Sequence, residues 1–192
     1  MFVVNDATSI FAGWIRNGVF WIRVENKGGV HNSGPLSKYF DDLNNGRIMH
    51  CIVDLEQCPT VDSTFIGTVR GFQKKLDRVK EEQSLETGGL VHVIHLNHRC
   101  HQLFKNLGMN ILLDMDVEGV KWKEERALAR NLPSLDSLGY GTIMSREERI
   151  LRVLQAHEDL ASASEENRKR FEDVLIFLRK ELEEGKDDPS FY

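Results

Sequence analysis

A short, almost wholly apolar run, Cys51-Ile52-Val53-Asp54-Leu55, is followed by Val61-Asp62-Ser63-Thr64 and then by a long stretch of helical periodicity. This junction constrains the chain more than any other feature. His50 to Leu55 reads as a buried strand, because a half-exposed strand would alternate and this one hardly does. Glu56 to Val61 reads as a loop. From Thr64 to about Gln83, Phe65, Ile66, Val69, Phe72, Leu76 and Val79 fall at helical spacing, with Lys74, Lys75, Arg78, Lys80, Glu81 and Glu82 turned outward. Asp62, Ser63 and Thr64 are all residue types that cap a helix, since their side-chain oxygens accept from the unpaired first-turn N–H groups. A serine at this place sits on the surface beside the positive end of a helix dipole, where its hydroxyl can be left bare or modified without disturbing the core.

The flanking sequence supplies the remaining elements. An edge strand is expected around Phe2-Val3-Val4. Asn17-Gly18 lies between two β-prone runs, Trp14 to Arg16 and Val19 to Val24, which predicts a β-hairpin. Asn26 to Ser33 reads as a loop, with Ser33 or Ser37 capping a helix that ends at Asn44-Asn45-Gly46. Thr87-Gly88-Gly89 leads into a strand over Leu90 to Leu96. Asn97 caps a short helix over His98 to Leu107, Gly108 ends it, and Asn110 to Leu113 reads as a final strand. Strands alternating with helices predict the α/β class: a mixed, mostly parallel sheet with helices packed on it.

The character changes after that unit. Residues 1–118 are expected to form the α/β domain and 119–144 a helix, over Val120 to Leu128, with a turn-rich linker over Asn131 to Gly141. Residues 145–186 form a charged helical extension and 187–192 a polar tail. Ser145-Arg146-Glu147-Glu148 is a capping box. Ser162-Ala163-Ser164-Glu165 offers a second cap, so the extension is either a helical hairpin or one long helix. Ile150, Leu154, His157, Leu160, Phe171, Val174, Leu178 and Leu182 make its apolar stripe, which suits a coiled-coil seam. That stripe must be buried against the domain, against a second copy in a homodimer, or against a partner.

Composition limits the function. The chain has 25 Lys plus Arg against 30 Asp plus Glu, a net charge of -5, which argues against nucleic acid as a partner. No apolar run approaches the roughly 20 residues of a membrane span, and the first residues lack a signal-peptide pattern, so a cytoplasmic protein is expected. The three cysteines, Cys51, Cys58 and Cys100, read as reduced thiols.

The order of strand, Asp-Ser-Thr, helix, strand and short helix ending in Leu-Gly resembles a STAS domain, the fold of sulphate transporters and anti-sigma factor antagonists. The matching pieces are Ile52-Val53-Asp54-Leu55, Val61-Asp62-Ser63-Thr64 with Gly67, Gly89 to Ile94, and Leu103 to Met109. The resemblance spans roughly residues 10–116. It implies a signal-transduction protein in transcription regulation, an anti-sigma factor antagonist that is not an enzyme and takes no cofactor. Its partner would be a Ser/Thr kinase that is also the anti-sigma factor, its phosphorylation site Ser63, with Thr64 as the neighbouring acceptor. A phosphatase would reset it. Asp62, Ser63, Thr64 and Phe65 would meet the partner. Phe65 stands where family members carry glycine, and the extension has no counterpart in the minimal domain. The other reading is a STAS scaffold that never cycles phosphate and serves as a subunit of a larger signalling or transport complex.

Other clusters point nowhere further. His92, His95, His98 and His101 recur beside Cys100, but their spacing crosses from strand to helix, so they share no face and no metal centre is expected. Around Ser63 nothing local supplies base, nucleophile and oxyanion site together, so no catalytic residue is assigned. Gly28, Gly29 and Gly34 do not form a phosphate-cradling loop.

Overall fold

The computed structural model describes residues 10–43, 48–141 and 144–185. The strand expected around Phe2-Val3-Val4, the helix end at Asn44-Asn45-Gly46 and the tail lie outside the described residues. A hairpin of β1 (Ile10–Arg16) and β2 (Val19–Gly28) opens the fold, turning at Asn17-Gly18 with Gly18 in the left-handed region. Then come α1 (Val30–Leu43), β3 (His50–Val61), α2 (Ser63–Glu82), β4 (Leu90–Ile94), α3 (His98–Asn106), α4 (Met109–Leu112), β5 (Asp114–Asp116) and α5 (Arg126–Ala129). The chain ends in α6 (Arg146–Ala161) and α7 (Glu165–Gly185).

The five strands lie in chain order, with β1 antiparallel to β2 and every other pair parallel. This is the mixed, mostly parallel sheet expected. Side chains alternate between two cores, as the period of a strand requires. Phe20, Ile22, Cys51, Val53, Leu55, Val91 and Val93 face the helices, in one cluster with Phe40, Phe65, Phe72, Phe104 and Leu160. Trp21, Ile52 and Ile94 face the other way, onto Trp122 and Ala129. The continuous apolar runs are therefore explained by burial on both faces. The Phe40 and Phe72 rings stack at 4.1 Å and join α1 to α2.

Several elements depart from the expected pattern. Glu56 to Val61 is not a loop: β3 continues through it, paired with β2 as far as Gly28↔Val61. The β4 ladder stops at Asp54↔Ile94, so this part of β3 has one neighbouring strand, which is where polar residues and Pro59 are tolerated. Asn26 to Ser33 is not a loop either. β2 runs to Gly28 and α1 begins at Val30, because the Gly29 carbonyl accepts from the Asn32 and Ser33 N–H groups while Asn32 Oδ1 accepts from Gly29 N–H at 2.8 Å. Neither Ser33 nor Ser37 is the cap.

Asn110 to Leu113 is mostly the short helix α4, and the final strand is the next three residues. Gly108, at φ +71°, turns the chain there, and a four-residue apolar run carries too little periodicity to separate helix from strand. Val120 to Leu128 is not an amphipathic helix. Only α5 forms, and Val120 and Leu128 are exposed while Trp122 is buried against the sheet. The segment read as a linker is built in. Ala12 N–H donates to Pro133 O, Leu135 N–H donates to Ile10 O, and Leu135 is fully buried.

The extension is a helical hairpin. Ser145 and Glu148 make the reciprocal capping box at its start, and Ser164 Oγ accepts from Asn167 N–H at its second helix. It folds back on the domain: Leu160, Phe171 and Leu175 join the helix-side core, and Asn167 Nδ2 donates to Leu107 O at 2.9 Å.

Candidate functional site

The end of β3 delivers Asp62 to the start of α2. Asp62 is the cap: its backbone is extended and its Oδ1 accepts from Phe65 N–H at 3.0 Å. Ser63 is thus the first helical residue, and its hydroxyl is not used by the cap. Asp62 and Ser63 are half-buried. Thr64 is buried, and the Phe65 ring is fully buried in the helix-side core. Of the four residues expected to meet a partner, the structure brings Asp62 and Ser63 to the surface and turns Thr64 and Phe65 inward. A large ring is accommodated after Ser63 because it points away from the surface.

The Ser63 hydroxyl has a partner from the far end of the chain. Its Oγ lies 3.0 Å from Nε2 of His157 on α6. His157 Nδ1 lies 2.9 Å from the Val153 carbonyl, which can only accept, so Nδ1 carries the proton. Nε2 of the neutral ring is then the acceptor and the Ser63 O–H donates to it. The imidazole is buried and sits 5.0 Å from the Phe171 ring. Burial lowers its proton affinity, opposed by the Val153 carbonyl and by the nearby Asp62 charge.

α6 reaches this position because α2 carries glycine, Gly67 and Gly71, where the two helices come closest. A Cβ at Gly67 would stand 2.2 Å from the Ala156 carbonyl oxygen, so the two backbones touch. One turn on, Gly71 faces the Asp159 carboxylate, which pairs with Lys74 at 2.6 Å. Arg152 Nη1 donates to Ser37 Oγ at 2.8 Å and ties α6 to α1 as well. Sequence reasoning missed His157 as a functional residue. Its one signal was a polar side chain inside the apolar stripe of the extension.

On the opposite face of the sheet lie His50, His92 and His95; β4 ends at Ile94, so His95 stands in a left-handed turn after it rather than on the far side of the strand. His92 and His95 do not meet. His92 Nδ1 donates to Asp114 at 2.7 Å, which leaves its Nε2 to accept from His50 Nδ1 at 3.0 Å, and Lys121 closes the chain on Asp114 at 2.8 Å. Trp122 packs against both imidazoles, at 5.1 and 5.0 Å. His98 is exposed on α3 and takes no part. His95 instead pairs with the buried Asp54 carboxylate at 2.8 Å. Among the described residues, Asp54, Glu56 and His95 bring possible metal-ligand atoms within 4.8 Å of one another. Each has a protein partner: Asp54 holds His95 and the Glu56 N–H, and Glu56 pairs with Arg126. Beside them is a cleft of about 500 Å³ lined by Arg23, Glu25, Arg126 and Arg130. The three cysteines are free and buried.

Burial lowers the pKa of His50, His92 and His157 below the usual 6.5, with the Arg16 charge adding to the effect at His50. The folded chain therefore binds fewer protons than the unfolded chain in the range just below 6.5. Stability is complete above that value and falls as pH drops from it through the lowered folded values. Urea unfolding midpoints at pH 7.5 and pH 5.5 check this: the lower pH is expected to give the lower midpoint, and His92→Gln a smaller difference between the two.

No family model and no curated protein matches the sequence. Among solved structures the chain is similar to the anti-sigma factor antagonist SpoIIAA in its unphosphorylated form. That likeness has 14% identity and a TM-score of 0.48, over 62% of this chain and 96% of that one. It is also similar to the Bacillus cell fate determinant SpoIIAA in the phosphorylated form, at 16% identity and a TM-score of 0.46, over 63% and 97%. The Thermotoga maritima protein tm1081 is a third likeness, at 14% and 0.48, over 60% and 92%. No helix among the described residues is long and apolar enough to cross a membrane.

Proposed function

We propose that this chain is a STAS-type regulatory binding protein that acts as an anti-sigma factor antagonist and is switched by phosphorylation of Ser63. Its partner is a Ser/Thr kinase or anti-sigma factor, with a phosphatase to reset it, and the chain is a substrate rather than an enzyme. One observation carries the reading: Asp62, not Ser63, caps α2, so the Ser63 hydroxyl is free to be modified without loss of the cap. A phosphate there adds about -1.5 to -2 charge. The N-terminus of a helix of this length tolerates that charge, while any partner surface docked on Asp62 and Ser63 meets a new repulsion. The acceptor is Ser63 rather than Thr64, which is buried.

The test is peptide mass spectrometry on protein from its own cells, with and without phosphatase, followed by pull-down with variants. Ser63→Asp is expected to weaken partner binding by about five- to 150-fold while Ser63→Ala retains it. A bare Ser63 under all growth conditions, with neither variant affecting binding, would overturn the switch.

A scaffold role has one observation in its favour. Val174, Ile176 and Phe177 of α7 are 39%, 59% and 59% exposed, an apolar surface on the outer side of the hairpin. If Ser63 is never modified, this surface is where a larger complex or a second copy would attach. Loss of binding in Phe177→Ser, with Ser63 variants silent, would support that role.

A further inference from the structure

The hydroxyl proposed as the switch is also the point where the C-terminal hairpin is fastened to α2. Resting on that reading of Ser63, we propose that the α6–α7 hairpin is a displaceable cover, and that a phosphate on Ser63 and a docked α6 exclude one another.

The argument begins with the hydrogen. The contact of Ser63 Oγ with His157 Nε2, at 3.0 Å, depends on the hydroxyl proton, because His157 Nδ1 is committed to the Val153 carbonyl. Phosphoryl transfer from a nucleoside triphosphate held by the kinase breaks the donor's terminal P–O bond and the serine O–H bond and forms O–P; the nucleoside diphosphate leaves and the hydroxyl proton passes to solvent. Phosphorylation removes the only hydrogen in the contact and replaces it with a group whose oxygens are all acceptors. A buried lone pair then faces a dianion. The Asp62 carboxylate flanks the same point and adds to the repulsion.

Space makes the same demand. α6 cannot slide along α2 to make room while Gly67 is in contact with the Ala156 backbone, since that seam has no slack. The new group is therefore accommodated by lifting α6, not by adjusting it.

The rest of the seam sets what lifting breaks. Beside the close contact α1, α2 and α6 enclose a cleft of about 280 Å³ whose lining includes Asp41, Lys74, Lys75, Arg78, Arg152 and Asp159. On this side α6 is also held by polar contacts, Arg152 to the buried Ser37 and the buried Asp159 to Lys74, and lifting returns both members of each pair to water together. Leu160, Phe171 and Leu175 anchor the hairpin turn and α7, while in the first half of α6 lifting uncovers Ile150, Leu154 and Ala156. The coupling is reciprocal, as any linkage must be: a docked α6 disfavours the phosphorylated state at equilibrium by the same free energy by which phosphorylation weakens docking.

The test uses the full-length chain with phosphoserine installed at position 63 and reads amide hydrogen exchange. Exchange across residues 146–161 is expected to rise about tenfold or more relative to the unmodified chain, with α3 unchanged. Equal or slower exchange would overturn the proposal, because it would mean that a protonated His157 pairs with the phosphate and locks the cover. A second measurement leaves the phosphate out. Ser63→Cys is titrated with a maleimide, alone and combined with Gly67→Leu, whose side chain would stand against the Ala156 backbone and wedge α6 away. The double variant is expected to label about tenfold faster. Equal rates would show that α6 does not shield this position. Phosphate found on Ser63 in cells together with a hairpin that stays docked would sink the cover and leave the switch standing. Phosphate never found there, with exchange raised in the installed form, would do the reverse.

Discussion

Phe65→Ala is expected to cost about 3–5 kcal/mol of stability, the range for removing a buried aromatic ring. The ring is fully buried, with Gly28 and Val61 alongside it and the helix-side core beneath it. Urea unfolding followed by tryptophan fluorescence reads the loss directly. The result also separates two views of the residue two places after Ser63. A ring that stood at the surface to meet a partner would give a variant that folds normally and fails only in binding. A loss below about 1 kcal/mol would restore that view.

Gly67→Ala is expected to destabilise by about 1–3 kcal/mol, the range for overpacking, although helix propensity alone would make it a gain of about 1 kcal/mol. The new methyl would meet the backbone of Ala156, which cannot rotate away. Gly71→Ala provides the contrast. Its nearest neighbour is the Asp159 carboxylate, the end of a flexible side chain, so the methyl is expected to cost much less or nothing. Thermal and urea melts of the two variants decide the matter. A Gly67→Ala chain that is more stable than its parent would mean that α6 does not lie against α2.

What could be read from the sequence was what depends on neighbours in the chain. The β1–β2 hairpin follows from Asn17-Gly18, α2 from its apolar spacing, α3 from Asn97, and α6 from the capping box at Ser145. What could not be read was set by partners far away. Glu56 to Val61 is polar because β4 ends before it, a fact that no local window contains. Trp122 and Ala129 look like pieces of a helix until the second face of the sheet is seen to need covering. Ser63 was legible as a surface hydroxyl at a helix start. That Asp62 is the cap was not, because Asp62, Ser63 and Thr64 all have capping side chains and only geometry chooses among them. The contact with His157 is separated by 94 residues, and nothing near either residue announces it.

The hydrogen bonds from Pro133 and Leu135 to β1 have a consequence for recruitment. An outermost strand normally offers its open backbone as a template for another chain. Here Ala12 N–H is already bound to Pro133 O, Ile10 O already accepts from Leu135 N–H, and Phe11 bridges to Ser134. At the other margin of the sheet, β5 is three residues long with an aspartate at each end, too short and too charged to seed an intermolecular ladder. Over Ile10 to Ala12 and at β5, the described margins of the sheet therefore give a second chain little to extend. The same cover works against sheet-to-sheet aggregation of the folded chain.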